Sequence, residues 1–581
     1  MKDLHKSIET LYTNRKKFVV IGLTGRTGCG CSTTAEMLSS SIDKIKLPKP
    51  SRINDNEERK YRICYDYIHQ NWEQFIWIQI KDIITSFILD NDFTTFKEYA
   101  VKILANGLIS KEQIENILDA QIKEDFDILH NHRLKIKELR KKTEDEEVVH
   151  KKDIVERREQ AETFYFTTLP PFTEKLKKHL SALSGESYTS FYQKAGDNIR
   201  SSGNALDDEY DSINIHRLAI RVNKVIKIFT NKNRKKDNVY IVIDALRNPF
   251  EAVFFRERYS AFYLLSINTP EEDRVHRLKR TLNLTDVQLN GIDQKEGEKK
   301  LEGPDFFYSQ NIPACIQSAD IHINNPQEGT DDYNLLKRQL IRYVSLILQP
   351  GIVTPSREER CMQLAHTAKL NSGCISRQVG AIVTNSNCNV MGVGWNSSPE
   401  GQPPCILRNC EDLLNQEDKK AYSNFENNDS QFRDKLEELY SNIFENTETQ
   451  KKLLGRNVTF CFKDIYNKAK GKDNQVHTRS LHAEENAFLQ ITQNGGQGVK
   501  GGKLFTTASP CELCSKKAYQ LGIKEIFYID PYPGIAFDHI LNFGDKKPSL
   551  RLFNGAIGRA YNQLYEPIIS YKDELKTILN I

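Results

Sequence analysis

The sequence predicts a mixed α/β protein of two domains, and three observations support this prediction. The 581 residues are too many for one ordinary core, and two large domains with insertions fit that length. In the first half, short apolar runs are separated by long helical stretches, as in a parallel, doubly wound sheet. Beyond residue 350, helices and strands alternate at shorter intervals, which predicts a compact α/β/α layer fold.

Composition narrows the class of protein further. Hydrophobic residues make up 39% of the chain and charged residues 28%, a balance typical of globular proteins rather than disordered or membrane proteins. The net charge is only +4, from 82 basic and 78 acidic residues. Because broad neutralisation of phosphates needs a clear basic excess, this balance argues against a general nucleic-acid coat but leaves a local basic groove open.

The sequence predicts a cytoplasmic protein with no membrane association. Its first 17 residues contain no apolar segment of the kind found in secretory signals, and no run of 18 apolar residues occurs. Two of the twelve cysteines form the pattern Cys511-x-x-Cys514. Without an export signal, this pattern is typical of metal or redox chemistry rather than of a disulfide framework.

Residues 1–335 are expected to form the first domain. The apolar runs that predict its strands are Phe18–Leu23, Phe75–Ile80, Val239–Asp244, Phe262–Ile267 and Ile321–Asn324. A helical insertion at about 100–235 separates the second and third of these runs. Within it, Lys123–Glu162 mixes both signs of charge, which favours a solvated helix or helical hairpin over a nucleic-acid arm.

A connecting helix at 336–350, which ends at Pro350, leads into the second domain at 351–581. The helices expected there span 356–370, 482–492 and 511–521. The expected strands are Val379–Thr384, Val390–Trp395, Lys503–Thr507 and Glu525–Ile529. A polar, helix-rich insertion at about 411–475 interrupts this pattern.

The second domain contains a strong metal-binding pattern. His482-Ala483-Glu484 is followed by Pro510-Cys511-Glu512-Leu513-Cys514, the H-x-E…P-C-x-x-C signature of zinc deaminases. Zinc favours nitrogen and sulfur ligands, and a catalytic site keeps one position for water, so His482, Cys511 and Cys514 are the expected ligands. Glu484 is expected to carry the proton between the water, the ring nitrogen and the leaving amine.

A closed, structural zinc site is the alternative interpretation of this pattern. It would need a fourth cysteine or histidine ligand, and three residues outside the motif could supply one: Cys405, Cys410 and His477. The same three residues could also hold a second, structural zinc, although ordinary core or surface roles are the simpler interpretation.

Four segments of the second domain resemble, in order, those of the deoxycytidylate deaminases. They are Gln378–Val383, Gly394–Gly401, His482–Phe488 and Ser509–Asp530. The resemblance implies that Asn396 contacts the sugar and base edge, that the backbone at Ala483 and Ser509 lines the base pocket, and that Tyr532 lies beside the deoxyribose. Arg377 either meets a phosphate or ends a helix at its negative pole.

The stretch Gly22–Thr34 of the first domain fits the phosphate-loop pattern G-x-x-x-x-G-K-[ST] at every position but one. Cys31 stands in the place of the lysine, whose ammonium would neutralise phosphate charge. Backbone N–H groups and the helix dipole are retained, so nucleotide binding without phosphoryl transfer is expected. The expected contacts are Gly25, Gly28, Gly30, Cys31, Ser32 and Thr33.

Other features of the first half agree with this interpretation. Asp244 ends a strand, where a magnesium-directed acid is expected, and Arg274, Arg277 and Arg280 recur on one helical face. The order of these features resembles nucleoside-monophosphate-kinase-like P-loop proteins. The fold class predicted in full is therefore a P-loop NTPase-like parallel sheet with helical insertions, followed by a cytidine-deaminase-like α/β/α zinc domain.

Together the two halves resemble the AvcD-type anti-phage defence deaminases. This resemblance implies deamination of dCTP and dCMP with Zn²⁺, depletion of the dCTP pool, and control by a small inhibitory RNA. It also implies a homo-oligomer, such as a hexamer, and a regulatory first domain that binds a nucleoside triphosphate with Mg²⁺. The alternatives are an active nucleotide kinase fused to the deaminase, a polynucleotide-editing deaminase, and a scaffold in which zinc only holds the fold.

Overall fold

The computed structural model is mixed α/β and divides into two compact units. It describes residues 4–51, 55–105, 109–144, 151–232, 238–282, 285–294, 296, 301–326, 333–472, 474, 477–496, 498–530, 535–579 and 581. The first unit contains Met1–Thr354 and Arg559–Ile581, and the second contains Pro355–Gly558. Each unit has its own sheet.

Five strands of the first unit pair in parallel in the order β5-β4-β1-β3-β2. These strands are β1 (Phe18–Thr24), β2 (Ile76–Gln79), β3 (Val239–Asp244), β4 (Phe262–Asn268) and β5 (Ile321–Asn324). All five predicted strands are therefore confirmed, with small shifts at their ends. β3 and β4 are buried at every residue, because helices cover both faces of a parallel sheet.

Helices connect these strands and form the insertion. Before the insertion the helices are α1 (Leu4–Lys17), α2 (Cys31–Ser39), α3 (Ile42–Ile45), α4 (Asn56–Asn71) and α5 (Ile80–Ile88). The insertion contains α6 (Phe93–Leu104), α7 (Lys111–Gln121), α8 (Lys123–Glu144), α9 (Lys151–Thr163), α10 (Leu169–Leu183), α11 (Ser187–Ser201) and α12 (Arg217–Lys232). After it come α13 (Pro249–Arg258), α14 (Glu271–Leu282), α15 (Asp286–Asp293), α16 (Asp305–Tyr308), α17 (Ile312–Gln317) and α18 (Asn334–Leu348).

The insertion packs onto the sheet of its own unit rather than standing apart in solvent. Phe96, Phe126 and Phe191 are fully buried in one apolar cluster with strand residues such as Val20 and Ile241. The charged helices α8 and α9 contribute inward apolar residues to the same cluster. Each of these helices therefore has a charged outer face and a buried apolar face, as ordinary amphipathic helices do.

The second unit contains a five-stranded sheet of parallel and antiparallel strands in the order β10-β9-β8-β6-β7. Its strands are β6 (Gly380–Thr384), β7 (Val390–Trp395), β8 (Lys503–Ala508), β9 (Glu525–Asp530) and β10 (Ser549–Leu552), and β11 (Gly555–Ala556) follows. β6 pairs antiparallel with β7 and β8, whereas β8, β9 and β10 run parallel. The helices against this sheet are α19 (Arg357–Lys369), α25 (Ala483–Gln493) and α26 (Glu512–Gln520).

The insertion of the second unit forms a small helical subdomain with its own apolar core. Its helices are α20 (Cys410–Leu414), α21 (Asn424–Asn428), α22 (Ser430–Glu445), α23 (Thr447–Leu453) and α24 (Phe462–Lys470). Phe432 and Phe460 are fully buried in its core. Arg408 and Glu426 form a buried ion pair beside these rings, which accounts for two charges inside a small apolar cluster.

The observed units differ from the sequence-based boundaries at the end of the chain. The sequence pattern predicts one domain over residues 351–581, but the second unit ends at Gly558. The final helices, α27 (Gly558–Tyr565) and α28 (Tyr571–Leu579), lead back to the first unit, where Tyr12 donates a hydrogen bond to Glu574. The connecting helix α18 likewise belongs to the first unit, and Gln349 at its end also donates to Glu574. Along the described ranges, every helix is either too short or too polar to cross a membrane.

Candidate active site and phosphate-binding loop

Two helix N-termini of the second unit bring the predicted metal ligands together. His482 immediately precedes α25, and Cys511 immediately precedes α26, so that Cys514 lies in the first turn of α26. The Nδ1 atom of His482 is 3.3 Å from Sγ of Cys511 and 3.5 Å from Sγ of Cys514. The positive poles of both helices point at these atoms and favour thiolates there.

The donor set fits a zinc ion. In the part of the chain that the structure describes, His482, Cys511 and Cys514 are the one group of three potential ligands whose donor atoms all lie within 4.8 Å of one another. The hydrogen bond from Cys514, together with that from His482, lowers the pKa of Cys511 to about 4. A thiolate held against a ring nitrogen and a second sulfur is the soft N/S environment that zinc prefers.

Glu484 lies beside this group and is almost fully buried, with 4% of its surface exposed. Its carboxylate accepts a hydrogen bond of 3.1 Å from the hydroxyl of Thr506 on β8. Burial is the main cause that raises the pKa of Glu484 above its ordinary value. A carboxyl with a raised pKa is a stronger base than an ordinary carboxyl, which suits a group that accepts a proton and then delivers it.

Close packing of β7 on α25 positions this carboxyl. Gly394 allows the contact, because a Cβ atom there would lie 2.0 Å from the carbonyl oxygen of Ala483. Ala483 itself is fully buried at the start of α25. Asn486, one turn further along, donates to the carbonyl of Trp395 and to the hydroxyl of Ser397. The turn after β7 is therefore tied to the helix that carries Glu484.

The side chain of Asn396 forms a hydrogen bond within the fold. Its Oδ1 atom accepts a 2.6 Å hydrogen bond from the backbone N–H of Val379, which precedes β6. The backbone N–H of Asn396 donates to the carbonyl of Val379. The side-chain carbonyl thus closes the junction between β6 and β7, and the amide nitrogen is the group that the predicted substrate contact would use.

Arg377 and Ser509 both contact Asp530, the last residue of β9. Arg377 forms an ion pair with the buried carboxylate of Asp530 at 3.1 Å. The backbone N–H of Ser509 donates to the carbonyl of the same aspartate. Asp530 orients the guanidinium of Arg377, and both roles considered for this residue, at a phosphate or at a helix end, stay predictions.

Not every candidate of the sequence analysis joins the site. Tyr532 lies outside the described residues. Cys405, Cys410 and His477 are absent from the described group of potential ligands, and both cysteines are buried in the helical insertion or next to it. Burial raises the pKa of Cys405 and of Cys410.

Sequence reasoning missed Thr506 and Asp530. Each lies on a strand that ends at the site, at a position whose side chain points inward only once the sheet is paired. The one signal in the sequence was their location, just before Ser509 and within the apolar run of β9. A threonine or aspartate in such a run carries no motif of its own.

In the first unit, residues 25–30 form the turn between β1 and α2, and Cys31 and Ser32 begin α2. Gly28 and Gly30 have positive φ angles of 89° and 101°, which favour glycine. Gly28 also lies against α14, since a Cβ atom there would be 2.7 Å from Leu278. Gly30 directly precedes α2 and its carbonyl accepts from Thr34. The strand–glycine turn–helix context that the loop pattern requires is present.

Cys31 brings no positive charge to this loop. Burial, followed by the nearby Asp244, raises the pKa of Cys31 well above its ordinary value, so the thiol stays neutral. Asp244 lies at the end of β3, and burial raises its pKa even though a hydrogen bond from Ser32 acts in the opposite direction. Ser32 and Asp244 are thus neighbours at the position where the sequence analysis expects Mg²⁺.

Two of the three arginines on α14 contact the loop. Arg274 is buried and donates to the carbonyl of Thr27 at 3.2 Å, and Arg277 donates to the carbonyl of Gly28 at 3.0 Å. Arg280 is exposed. The packing of Leu278 against Gly28 turns Arg274 and Arg277 towards the loop.

One ring nitrogen and two sulfurs suit zinc, and a buried carboxyl two residues from the histidine suits proton transfer. The second unit accordingly has the features of a zinc-binding deaminase domain of the hydrolase class. Residues 355–530 match the family model described as the cytidine and deoxycytidylate deaminase zinc-binding region. This part of the chain is therefore similar to that zinc-binding region.

Three individual proteins share between 21% and 26% sequence identity with the matched parts of this chain. The deoxycytidylate deaminase of Enterobacteria phage T4 is 26% identical over 173 residues, which cover 29% of this chain and 76% of the phage protein. That of Saccharomyces cerevisiae is 25% identical over 288 residues, which cover 48% of this chain and 70% of the yeast protein. The crystal structure of dCMP deaminase from cyanophage S-TIM5 in complex with dCMP and dUMP is 21% identical, covers 35% of this chain and 99% of its own, and has a TM-score of 0.21.

Proposed function

We propose that the second unit catalyses zinc-dependent hydrolytic deamination of dCMP and dCTP to dUMP and dUTP. The observation that carries this proposal is the convergence of His482, Cys511 and Cys514 beside the buried carboxyl of Glu484. The family match over residues 355–530 and the names of the relatives support deoxycytidine nucleotides as the substrate class. The reaction replaces the amino group at C4 of cytosine with oxygen from water and releases ammonia.

His482, Cys511 and Cys514 are proposed to hold the zinc. When bound, zinc lowers the pKa of a water towards about 7 and so makes hydroxide available at neutral pH. Glu484 is proposed to accept a proton from water and to deliver it to the ring nitrogen and then to the leaving amine. Its burial and its hydrogen bond from Thr506 keep the carboxyl in one orientation for both transfers.

Substrate contacts follow from the turns around this centre. The amide nitrogen of Asn396 is proposed to contact the sugar or base edge, while its oxygen is held by Val379. Backbone groups at Ala483 and Ser509 are proposed to line the base pocket, and Tyr532 is proposed to lie beside the deoxyribose. Arg377, oriented by Asp530, is proposed to meet the phosphate of the nucleotide.

The direct test is to incubate the zinc-loaded protein with dCTP, dCMP, deoxycytidine and cytidine and to measure uracil-containing products. Conversion of at least one of the two nucleotides supports the proposal. Uracil or inosine that appears only in RNA or single-stranded DNA would favour the polynucleotide-editing alternative instead. Zinc-loaded protein that converts none of these substrates would refute deamination and favour the scaffold alternative.

The loop of the first unit is proposed to bind a nucleoside triphosphate with Mg²⁺ in a regulatory role. The neutral thiol of Cys31 supports binding without phosphoryl transfer over an active kinase. In the cell, depletion of dCTP is proposed to act in defence against phage, in a cytoplasmic homo-oligomer controlled by a small RNA. Ser32→Ala should alter the dependence of deamination on added ATP, and a variant indistinguishable from wild type would remove the loop from regulation.

A further inference from the structure

The carboxylate of Glu296 is bound directly to the phosphate loop. Its Oε2 atom accepts a 3.0 Å hydrogen bond from the backbone N–H of Thr27, and its Oε1 atom accepts one from the Thr27 hydroxyl. Arg247, which follows β3, donates to Oε1 at 2.5 Å and to the Thr27 hydroxyl at 3.1 Å. A backbone N–H and a guanidinium that converge on an anion are the groups with which such loops bind phosphate.

Glu296 is held there as an ionised group. It is 2% exposed, and burial by itself would favour the neutral carboxyl. The charge of Arg247 and the hydrogen bonds from Thr27 outweigh burial, and the pKa of Glu296 lies below its ordinary value. The ionised carboxylate accepts hydrogen bonds from three donors, the N–H and hydroxyl of Thr27 and the guanidinium of Arg247. Glu296 therefore fills an anion-binding site.

The negative charge of Glu296 acts electrostatically on Cys31, which stands in the place of the missing lysine. It acts on the Cys31 thiol together with Asp244, and Arg247 acts there in the opposite direction. Glu296 and Arg247 therefore form a neutral pair next to the loop, where a phosphate-binding loop ordinarily presents positive charge.

Two more arginines at the loop, Arg26 and Arg274, also pair with an acidic side chain. Asp293, at the end of α15, pairs with Arg26 at 2.9 Å and with Arg274 at 2.6 Å. Contacts of Leu289 and Ile292 with Leu278 fix α15 against α14, and α14 in turn packs on Gly28. The acidic side chains thus approach the loop from a packed element.

We propose that Glu296 occupies the anion position of the loop, and that the phosphate chain of a nucleoside triphosphate binds there only by replacing it. This inference rests on the proposed nucleotide-binding role of the loop and adds a built-in competitor to it. The ligand class is a polyphosphate, because the backbone N–H, the hydroxyl and the guanidinium that converge on the Glu296 carboxylate form a donor set that suits an oxyanion.

The test compares the binding of Mg²⁺–ATP and of inorganic tripolyphosphate, by calorimetry, to the full-length wild type, Glu296→Gln and Glu296→Ala. Glu272→Gln is the matched control, because it removes an exposed carboxylate of α14 with no side-chain contact in the loop. Removal of the competing charge should tighten binding of both ligands by about tenfold or more in both Glu296 variants and leave the control unchanged. Ser32→Ala combined with Glu296→Gln should cancel the gain, which would place the ligand in the loop.

The outcomes separate the inference from the function on which it rests. Equal, measurable affinities in wild type and both Glu296 variants would overturn the competition and leave nucleotide binding intact. Weaker binding in both variants, with unchanged thermal unfolding, would overturn it as well and make Glu296 part of the ligand site. If neither probe binds to any variant, including the two that lack the carboxylate, both the competition and the binding role of the loop are wrong.

Discussion

Thr506 donates a hydrogen bond to the carboxylate of Glu484 across 3.1 Å in a fully buried part of the second unit. The same hydroxyl lies 2.6 Å from the carbonyl of Ala508, where β8 ends just before the metal-ligand loop. One side chain thus connects the proposed proton carrier to the strand that leads to Cys511.

Removal of this hydroxyl should lower turnover more than substrate binding. Thr506→Val keeps the shape of the side chain but removes its hydrogen bond to Glu484. We therefore expect kcat to fall by about 10–100-fold with KM nearly unchanged. Thr506→Ser keeps the hydroxyl and should restore most of the activity. Steady-state kinetics with dCMP provide the measurement, and a loss in Thr506→Ser as large as in Thr506→Val would show that packing, not the hydrogen bond, matters.

Glu484→Ala should abolish turnover while zinc remains bound. General acid–base groups contribute about 10²–10⁴-fold to rates, and this carboxyl is proposed to serve in successive proton transfers. Product formation and zinc content should be measured on the same sample. Glu485→Ala is a suitable control, because Glu485 lies next in sequence and pairs with Lys517 on the protein surface. Retained turnover in Glu484→Ala would remove Glu484 from its proposed role.

Arg377→Ala should raise KM for dCMP and dCTP more than for deoxycytidine. The guanidinium is oriented by Asp530 and is proposed to meet a phosphate that the nucleoside lacks. An increase of about tenfold in KM is expected for the nucleotides, which corresponds to one lost charge-assisted contact. Equal effects on all three substrates would instead assign Arg377 to support of the fold, through Asp530 and Ser509.

Cys31→Lys should tighten binding of Mg²⁺–ATP to the loop without creating a kinase. The native thiol is neutral, and an ammonium at this position would add one positive charge beside the phosphates. Calorimetry should show about tenfold tighter binding, with Cys31→Ser close to wild type. Transfer of labelled phosphate from ATP to a nucleoside or nucleotide by the lysine variant would show that the missing lysine had silenced a kinase.

Acid should destabilise the second unit through His366 on α19. Burial, and then Lys369, lowers the pKa of His366 from 6.5 to about 4. The unfolded chain binds this proton first as pH falls, so the stabilising contribution is present above pH 6.5 and is lost as pH falls towards 4. The loss is on the order of 3 kcal/mol, and His366→Gln should remove that part of the pH dependence in denaturant unfolding. An unchanged pH dependence in this variant would contradict the prediction.

Strands and helices were accessible from sequence because their signals are local. The apolar runs before Gly25 and at Val239–Asp244 lie where β1 and β3 are found, and His482 and Cys511 were placed at helix starts. The end of the chain was different. The helical pattern of residues 558–579 does not specify which unit buries its apolar face, and the contact of Tyr12 with Glu574, far apart in sequence, assigned it to the first unit.

The sequence by itself determined the chemical identity of the candidate metal ligands and of the proposed proton carrier, since the zinc-deaminase motif depends on residue type and short spacing. It also determined that the loop lacks its lysine. Only the tertiary structure decided what surrounds these groups: Thr506 beside Glu484, Asp530 beside Arg377, and Glu296 on the loop at Thr27. These contacts join residues from different strands, helices and loops. Burial and pairing across the fold, rather than neighbours in the chain, set their charge and orientation.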